Sequence, residues 1–340
     1  MAESIQAIPP FIEPSMATSS RALRPTAREW FLHAFLFLLT VCSTTIAGVI
    51  LPGDSKDLEV AMPNPHHLVE YLLYIPEYYF RSLAQLGSHL IQQPAEIGQG
   101  LVFSLALLTI LLAHEMGHYV ACRRYGVEAT LPFFIPAPPL FIAGTFGAFI
   151  KIKSPIPSRR ALFDIGLAGP LAGFAALLPV SVLAIILLQP GSAHGDHFLI
   201  FNDPLLFRLL ARAFHVRLDN AVPNPFYSAA WIGLLVTSLN LMPVGQLDGG
   251  HGTFAVFGPR AHRWIGRFAF LAMASLALLG WFWHGSPSGF LYTVLLAIML
   301  KVRHPQPGRM ESLGGARTAI AILTLLVFAL SFWPFPITIT

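Results

Sequence analysis

Charge is scarce in this chain. Asp, Glu, Lys and Arg make up 11% of its 340 residues, against about 25% in soluble globular domains, which excludes a molecule whose surface lies mostly in water. Cysteine is scarcer still, with Cys42 and Cys122 alone. Both lie in or beside apolar segments without paired spacing, which argues against a disulfide framework. A helix would place Cys122 ~12 Å from His114, too far to share one metal with it, so Cys122 reads as a packing residue. The pI of about 9.2 does not point to nucleic acid, because the basic residues gather at the ends of apolar runs, where they set membrane orientation. Residues 1–28 lack an apolar core and carry Glu3, Glu13 and several prolines. They read as a disordered tail rather than a signal or transit peptide, which favours a bacterial inner membrane.

What the chain has in abundance is hydrocarbon: 55% hydrophobic residues and a mean hydropathy of +0.64. The pattern predicts an all-α polytopic membrane protein of about seven transmembrane helices, at 30–51, 99–122, 161–188, 226–257, 265–283, 288–302 and 316–335. The fourth is expected to break near Pro243 and Gly245. With the N-terminus cytosolic and the C-terminus outside, all of the 21 Lys and Arg residues except Lys56, Arg81, Arg208, Arg212 and Arg217 fall on the inside, a strong positive-inside bias. On the outer side, residues 66–93 and 204–217 are expected to form amphipathic helices on the membrane surface.

The inner connection, residues 123–160, is unusual. Leu131 to Leu140 reads LPFFIPAPPL, whose four prolines rule out a helix. Residues 144–153 then alternate in a strand-like pattern and end in Lys151 and Lys153. Non-helical backbone survives at membrane depth only when covered by protein or lining a wet cavity. A short re-entrant β-hairpin or loop on the cytosolic side is therefore expected. The chain divides into the tail (1–28), a first helix with its outer amphipathic region (29–98), a membrane core (99–257) and C-terminal helices (258–340).

The most informative residues are His114-Glu115-Met116-Gly117-His118, inside the apolar run from Leu101 to Val120. Histidines four apart share a helix face and reach one metal ion, and the glutamate beside them can accept a proton from the attacking water. A hydrolytic zinc site usually has three protein ligands and one open position. The third ligand is expected to be Asp248, a lone carboxylate inside apolar sequence that a cation would neutralise. Depth agrees: His118 lies ~8 Å of helical rise before Arg123, and Asp248 at most ~18 Å before Arg260.

His114-Glu115-x-x-His118, together with Asn240-x-x-Pro243-x-x-x-Leu247-Asp248-Gly249, Ala168-Gly169-Pro170 and the glycine-bearing strand at 144–153, resembles the site-2 protease family of intramembrane zinc metalloproteases. The resemblance covers residues 99–257. It implies an endopeptidase that cuts transmembrane segments of membrane-protein substrates within the lipid bilayer, with one zinc ion per chain. His114, His118 and Asp248 match the family's zinc ligands, Glu115 its general base, and Asn240 a substrate or oxyanion contact. The strand, through Gly144, Gly147, Phe149 and Ile150, is expected to hold an unwound substrate segment by β-addition. Residues 189–225 are too few for the PDZ domain that some members carry there. His251 either packs or supports the ligands, and Asp164 is expected to cap its helix or to pair with Arg159 or Arg160. No nucleic acid is expected and no oligomeric state is assigned. Two alternatives compete. A prenyl-protein peptidase of the CAAX type would need a glutamate ligand, and Glu311 sits in a polar loop. A zinc transporter or metal sensor would need polar residues across the outer leaflet, where Leu101 to Ile110 and Trp231 to Leu235 offer almost none.

Overall fold

The computed structural model describes residues 26–51, 68–191, 199–219, 221–286, 288–302 and 304–339. The expected disordered tail therefore lies almost wholly outside the described residues. The first helix, α1 (Ala27–Ile50), opens on a Thr26–Glu29 capping box, which satisfies two otherwise orphaned N–H groups. α2 (Leu68–Gln92) follows as one continuous helix despite Pro76, and α3 (Pro94–Arg124) starts with proline in its first turn. A hairpin of β1 (Phe133–Pro136) and β2 (Thr145–Phe149) leads to α4 (Arg159–Ile186), whose Ser158 cap accepts from Ala161 N. Then come β3 (Gln189–Pro190), β4 (Leu199–Phe201), α5 (Leu205–Ala213), β5 (Ala221–Val222) and α6 (Pro225–Asn240). The chain closes with α7 (Asp248–His284), α8 (Ser288–Lys301), α9 (Gly315–Ser331) and β6 (Ile337–Ile339).

Four of these helices, α1, α3, α4 and α7, are long and apolar enough to cross a bilayer. The expected count of seven is not confirmed among the described residues. α6, α8 and α9 have 16, 14 and 17 residues, or about 21–26 Å of helix against a hydrocarbon core of ~30 Å. Local breakers shorten them. The segment after Asn240 turns at Gly245 (φ 54°), and α9 stops before Trp333-Pro334-Phe335-Pro336, which leads into β6. There Leu199–Phe201 pairs antiparallel with Ile337–Ile339, a long-range closure that local periodicity does not signal. The predicted fourth span is indeed two helices, α6 and the first part of α7. The expected loop before the fifth span is instead a kink within α7 at Gly258 (φ 80°, ψ 176°), followed by Pro259.

α3 and α4 form the centre, with Phe103, Leu107, Phe163 and Leu177 wholly buried between neighbours. Small residues let the helices approach closely. A Cβ at Gly117 would collide with the Ala168 carbonyl of α4. α1 crosses α3 where Gly48 meets Gly100, beside a Thr44 Oγ1–Ser104 Oγ hydrogen bond of 2.6 Å. α1 also carries the hairpin: His33 Nδ1 donates to the Pro132 carbonyl at 2.9 Å, and its ring lies 3.9 Å from that of Phe133.

The strand expected at 144–153 is shorter as a regular element. β2 pairs Phe149 with Phe133 and Ala148 with Phe134, then shifts register before Thr145 reaches Pro136. Beyond it, Thr130 N donates to Lys151 O and Lys153 N to Glu128 O, so the ladder resumes at an Ala129–Ile152 bridge. Because backbone direction alternates along a strand, Ile150 and Ile152 turn their own N–H groups away from residues 128–130.

The α1–α3 crossing gives a simple test. Gly100→Ala places a methyl 2.8 Å from Val49 Cγ2 and against the Thr45 carbonyl, whereas a Cβ at Gly98 meets nothing within 4 Å. Overpacking should make Gly100→Ala less stable by ~1–3 kcal/mol, while Gly98→Ala should be neutral or gain up to ~1 kcal/mol of helix propensity. Equilibrium unfolding of the two variants in detergent measures the contrast.

Candidate metal centre

α3 presents His114, Glu115 and His118 one turn apart or adjacent, all under 9% exposed. Asp248 arrives from the first turn of α7, 134 positions away in sequence. The sharp return between α6 and α7 makes this possible. Val244 N bonds to Met242 O and Leu247 N to Val244 O, and Gly249 is needed because any Cβ there would strike the Leu241 carbonyl.

Three donor atoms converge. Asp248 Oδ2 lies 3.1 Å from His114 Nε2 and 3.3 Å from His118 Nε2, and the two Nε2 atoms are 3.1 Å apart. His118 Nδ1 donates to the Ile165 carbonyl of α4 at 2.7 Å, which fixes the ring tautomer and leaves Nε2 as a lone pair aimed at the other two. Four ligands ~2.0–2.1 Å from a tetrahedral zinc stand ~3.3–3.4 Å apart. The observed edges fit that geometry, and nitrogen and oxygen donors suit a divalent cation. Among the described residues this is the one cluster of three or more His, Cys, Asp or Glu whose donor atoms lie within 4.8 Å of one another.

α4 makes room for the imidazoles. At Gly169 a Cβ would overlap the His118 ring, and at Gly173 it would sit 3.0 Å from His114 Cβ. Sequence reasoning noted Ala168-Gly169-Pro170 only as part of a resemblance. The packing of α4 on α3 makes it part of the floor beneath two rings. The Ile165 carbonyl was not foreseeable, since backbone acceptors leave no mark on sequence.

The other predicted residues fall as follows. Asn240 Nδ2, at the end of α6, is 3.4 Å from His114 Nε2. The Ile150 backbone of the hairpin lies beside the Glu115 carboxylate. Phe149 is exposed and stacks on Phe133 with ring centroids 5.4 Å apart. Gly147 supplies the positive φ (100°) of the irregular register. Gly144 is a correction to the expected substrate contacts: it is buried in the hairpin turn, where a Cβ would be 2.5 Å from Thr44 Cα of α1. Cys122 is a free, fully buried core residue. His251 packs its Cβ on Gly166 and bonds His304 (2.9 Å).

Asp164 pairs with neither Arg159 nor Arg160, as sequence proximity had suggested. Arg317 of α9 takes it, at 2.6 Å. Arg159 instead donates to the Ala255 and Val256 carbonyls. Pro259 has no N–H to give Ala255, four residues earlier, so Arg159 satisfies an acceptor that the α7 kink would orphan. Arg160 reaches the Ser312 carbonyl at 2.8 Å and lies 3.8 Å from Glu311.

Comparison with known proteins gives a consistent picture. Residues 102–279 match the family model described as Peptidase family M50. The chain is 32% identical over 327 residues to Probable zinc metalloprotease EGY1, chloroplastic, of Oryza sativa subsp. japonica, covering 91% of this chain and 51% of that protein. It is 30% identical over 323 residues to Probable zinc metalloprotease EGY2, chloroplastic, of Arabidopsis thaliana, covering 85% and 54%. The chain thus spans about half the length of these relatives. No solved structure matches it.

Two substitutions test the centre. Asp248→Ala removes one of three converging donors and should abolish stoichiometric binding of a divalent metal. Gly169→Ala leaves every donor in place but displaces the His118 ring, and should weaken metal binding by ~10-fold or more. Chelator competition on the purified protein, with circular dichroism to verify the fold, reads both.

Proposed function

The chain belongs to peptidase family M50, and on that premise we propose that it is a membrane-embedded zinc endopeptidase that cleaves transmembrane segments of other membrane proteins. The observation that carries this reading is the convergence of His114 Nε2, His118 Nε2 and Asp248 Oδ2 at 3.1–3.3 Å, with the Glu115 carboxylate beside them among apolar helices. His114, His118 and Asp248 are the zinc ligands. Bound there, zinc supplies a Lewis acid that polarises the scissile carbonyl and acidifies the attacking water.

The chain's own residues do the rest. Glu115, one position from a ligand, accepts the proton of the attacking water and passes it to the departing amine. The Ile150 backbone lies beside that carboxylate. Asn240, with its amide 3.4 Å from His114 Nε2, donates to the carbonyl oxygen as negative charge develops on it. Ile165 O keeps the His118 ring turned toward the site.

A helical substrate hides its carbonyls in its own hydrogen bonds and must unwind before attack. The hairpin offers what an unwound segment needs. One side of residues 151–153 is occupied by Glu128 and Thr130, and the other side, with Ile150 and Ile152, faces outward next to Glu115. An extended substrate adds along that edge, its backbone bonded to the strand. This makes the hairpin re-entrant, dipping into the membrane beside the metal.

The orientation follows the basic residues. Arg123, Arg124, Lys151, Arg159 and Arg160 cluster at the hairpin end of α3 and α4, which supports reading the site as lying in the cytosolic half of the bilayer, or its organelle counterpart. The C-terminus is then on the opposite side. The named relatives are chloroplastic, so they lend nothing to the bacterial inner membrane expected from the N-terminal tail. Glu311, the one candidate ligand for a CAAX-type site, is engaged with Arg160 (3.8 Å). The buried outer half of α3, with Phe103, Leu107 and Ile110, offers no polar route for ion transport.

Glu115→Gln should retain one zinc per chain and lose at least ~10²-fold in cleavage of a membrane-anchored reporter. Zinc analysis and reporter cleavage in the same preparation check it, and retained cleavage overturns the assignment. Ile152→Pro should lower cleavage of a membrane segment, since proline removes the outward N–H, while zinc content stays at the wild-type level. Equal turnover of the proline variant and wild type would remove the strand from the mechanism.

A further inference from the structure

Arg317 sits in the first turn of α9, the wrong end of a helix for a cation, since the N-terminal dipole is positive there. It lies beyond residues 102–279, the stretch matching the peptidase family. Its guanidinium is bound on all sides. Nε donates to Asp164 Oδ1 at 2.8 Å and Nη2 to Asp164 Oδ2 at 2.6 Å, a fork geometry specific to arginine and carboxylate. Nη2 also reaches Tyr125 OH at 3.0 Å, and Nη1 the Leu313 carbonyl at 3.3 Å. The Tyr125 hydroxyl in turn donates to Asp164 Oδ2. The Asp164 and Arg317 side chains are only 26% and 24% exposed.

The place of this cluster matters more than its strength. Tyr125 caps the C-terminal end of α3, the helix carrying His114, Glu115 and His118. Asp164 immediately precedes Ile165, whose carbonyl anchors His118 Nδ1 at 2.7 Å. α3 and α4 are therefore joined twice at their inner ends: by the His118–Ile165 contact, and about two turns along α3 by Tyr125–Asp164. Arg317 locks the second joint.

We infer that Arg317 is a positioning residue for the metal centre: through Asp164 and Tyr125 it fixes α4 against the inner end of α3, so that the Ile165 carbonyl holds His118 with Nε2 aimed at the metal. This inference rests on the metal reading of His114, His118 and Asp248. It gives α9, a helix outside the matched family region, a part in setting the geometry of the site.

The test is metal binding and ligand-field spectroscopy on the full chain in detergent, using Co²⁺ alone as probe and Zn²⁺ competition for affinity. Arg317→Gln should weaken Co²⁺ binding by ~10-fold or more and change the visible d–d bands, because the orientation of one imidazole ligand changes. Arg317→Lys restores the charge without the fork and should recover part of both. Tyr125→Phe, which removes a single hydroxyl and leaves the ion pair, guards against a merely unfolded variant and should shift the spectrum in the same direction by less. The Arg317→Gln/Asp164→Asn double variant should lose no more affinity than Arg317→Gln alone, as expected for one coupled unit. Arg81→Gln, breaking the exposed Glu77 pair, should leave affinity and spectrum unchanged. Wild-type affinity and bands in Arg317→Gln overturn the inference, as does loss of affinity only in step with lost thermal stability. If the wild-type chain itself takes up neither Co²⁺ nor Zn²⁺, the metal reading fails first and this one with it.

Discussion

Two imidazoles and a carboxylate face one another among apolar helices, and the rest of the molecule depends on that meeting. Burying ionisable groups in hydrocarbon costs several kcal/mol each unless they are paired or bound to a cation. Here the pairing joins residues 134 positions apart, so the fold must carry α3 and the start of α7 to the same point. α4 accomplishes this. It packs on α3 through Gly117 and Ala168, clears space for both rings at Gly169 and Gly173, and meets His251 of α7 at Gly166. A bulkier residue at Gly169 or Gly117 would push apart the surfaces that bring the donors together. The same helix supplies the Ile165 carbonyl that orients His118.

Much of this was legible in sequence because its grammar is local. A four-residue spacing on an apolar helix states that two imidazoles share a face, and a carboxylate alone in an apolar run states that something must neutralise it. Pro243 and Gly245 announced the break between α6 and α7. What sequence did not show depends on partners far along the chain. Asp164 has Arg159 and Arg160 close by in sequence, yet both are occupied elsewhere, Arg159 by carbonyls freed at the Pro259 kink, and Asp164 binds a residue 153 positions away. The β4–β6 pairing of Leu199–Phe201 with Ile337–Ile339 is equally invisible, since each strand is three residues long. Hydropathy also marked seven windows where four helices reach full-span length. An apolar window registers composition, whereas helix length depends on where the backbone breaks, and α6, α8 and α9 are shorter.

The hairpin shows how a non-helical element is held against a bundle of apolar helices. Its backbone groups are satisfied piecewise: β1 against β2, Thr130 and Glu128 against Lys151 and Lys153, and the Pro132 carbonyl by His33 of α1. Phe133 and Phe149 stack across it, and Phe37 of α1 meets Phe134 edge-on at 5.0 Å. Its turn rests at Gly144 on α1, so α1 supports the hairpin along several helical turns. Ile150, on the opposite side of the ladder, meets Glu115. The hairpin therefore transmits the position of α1 to the carboxylate that moves the proton in the proposed reaction.

α1 and α9 thus act on the same centre from outside the 102–279 stretch, by different routes. α1 reaches Glu115 through a strand, and α9 reaches His118 through Asp164 and a helix backbone. Neither contributes a donor atom to the cluster. Catalytic groups must be held within fractions of an ångström to be useful, and an apolar bundle has few directional contacts with which to do so, because dispersion between hydrocarbon surfaces is nearly indifferent to small slides. Hydrogen-bonded clamps at helix ends supply the missing direction. It follows that the donors and the proposed base can be read within α3 and α7, while the stiffness that would make them a site is distributed over helices bearing none of them.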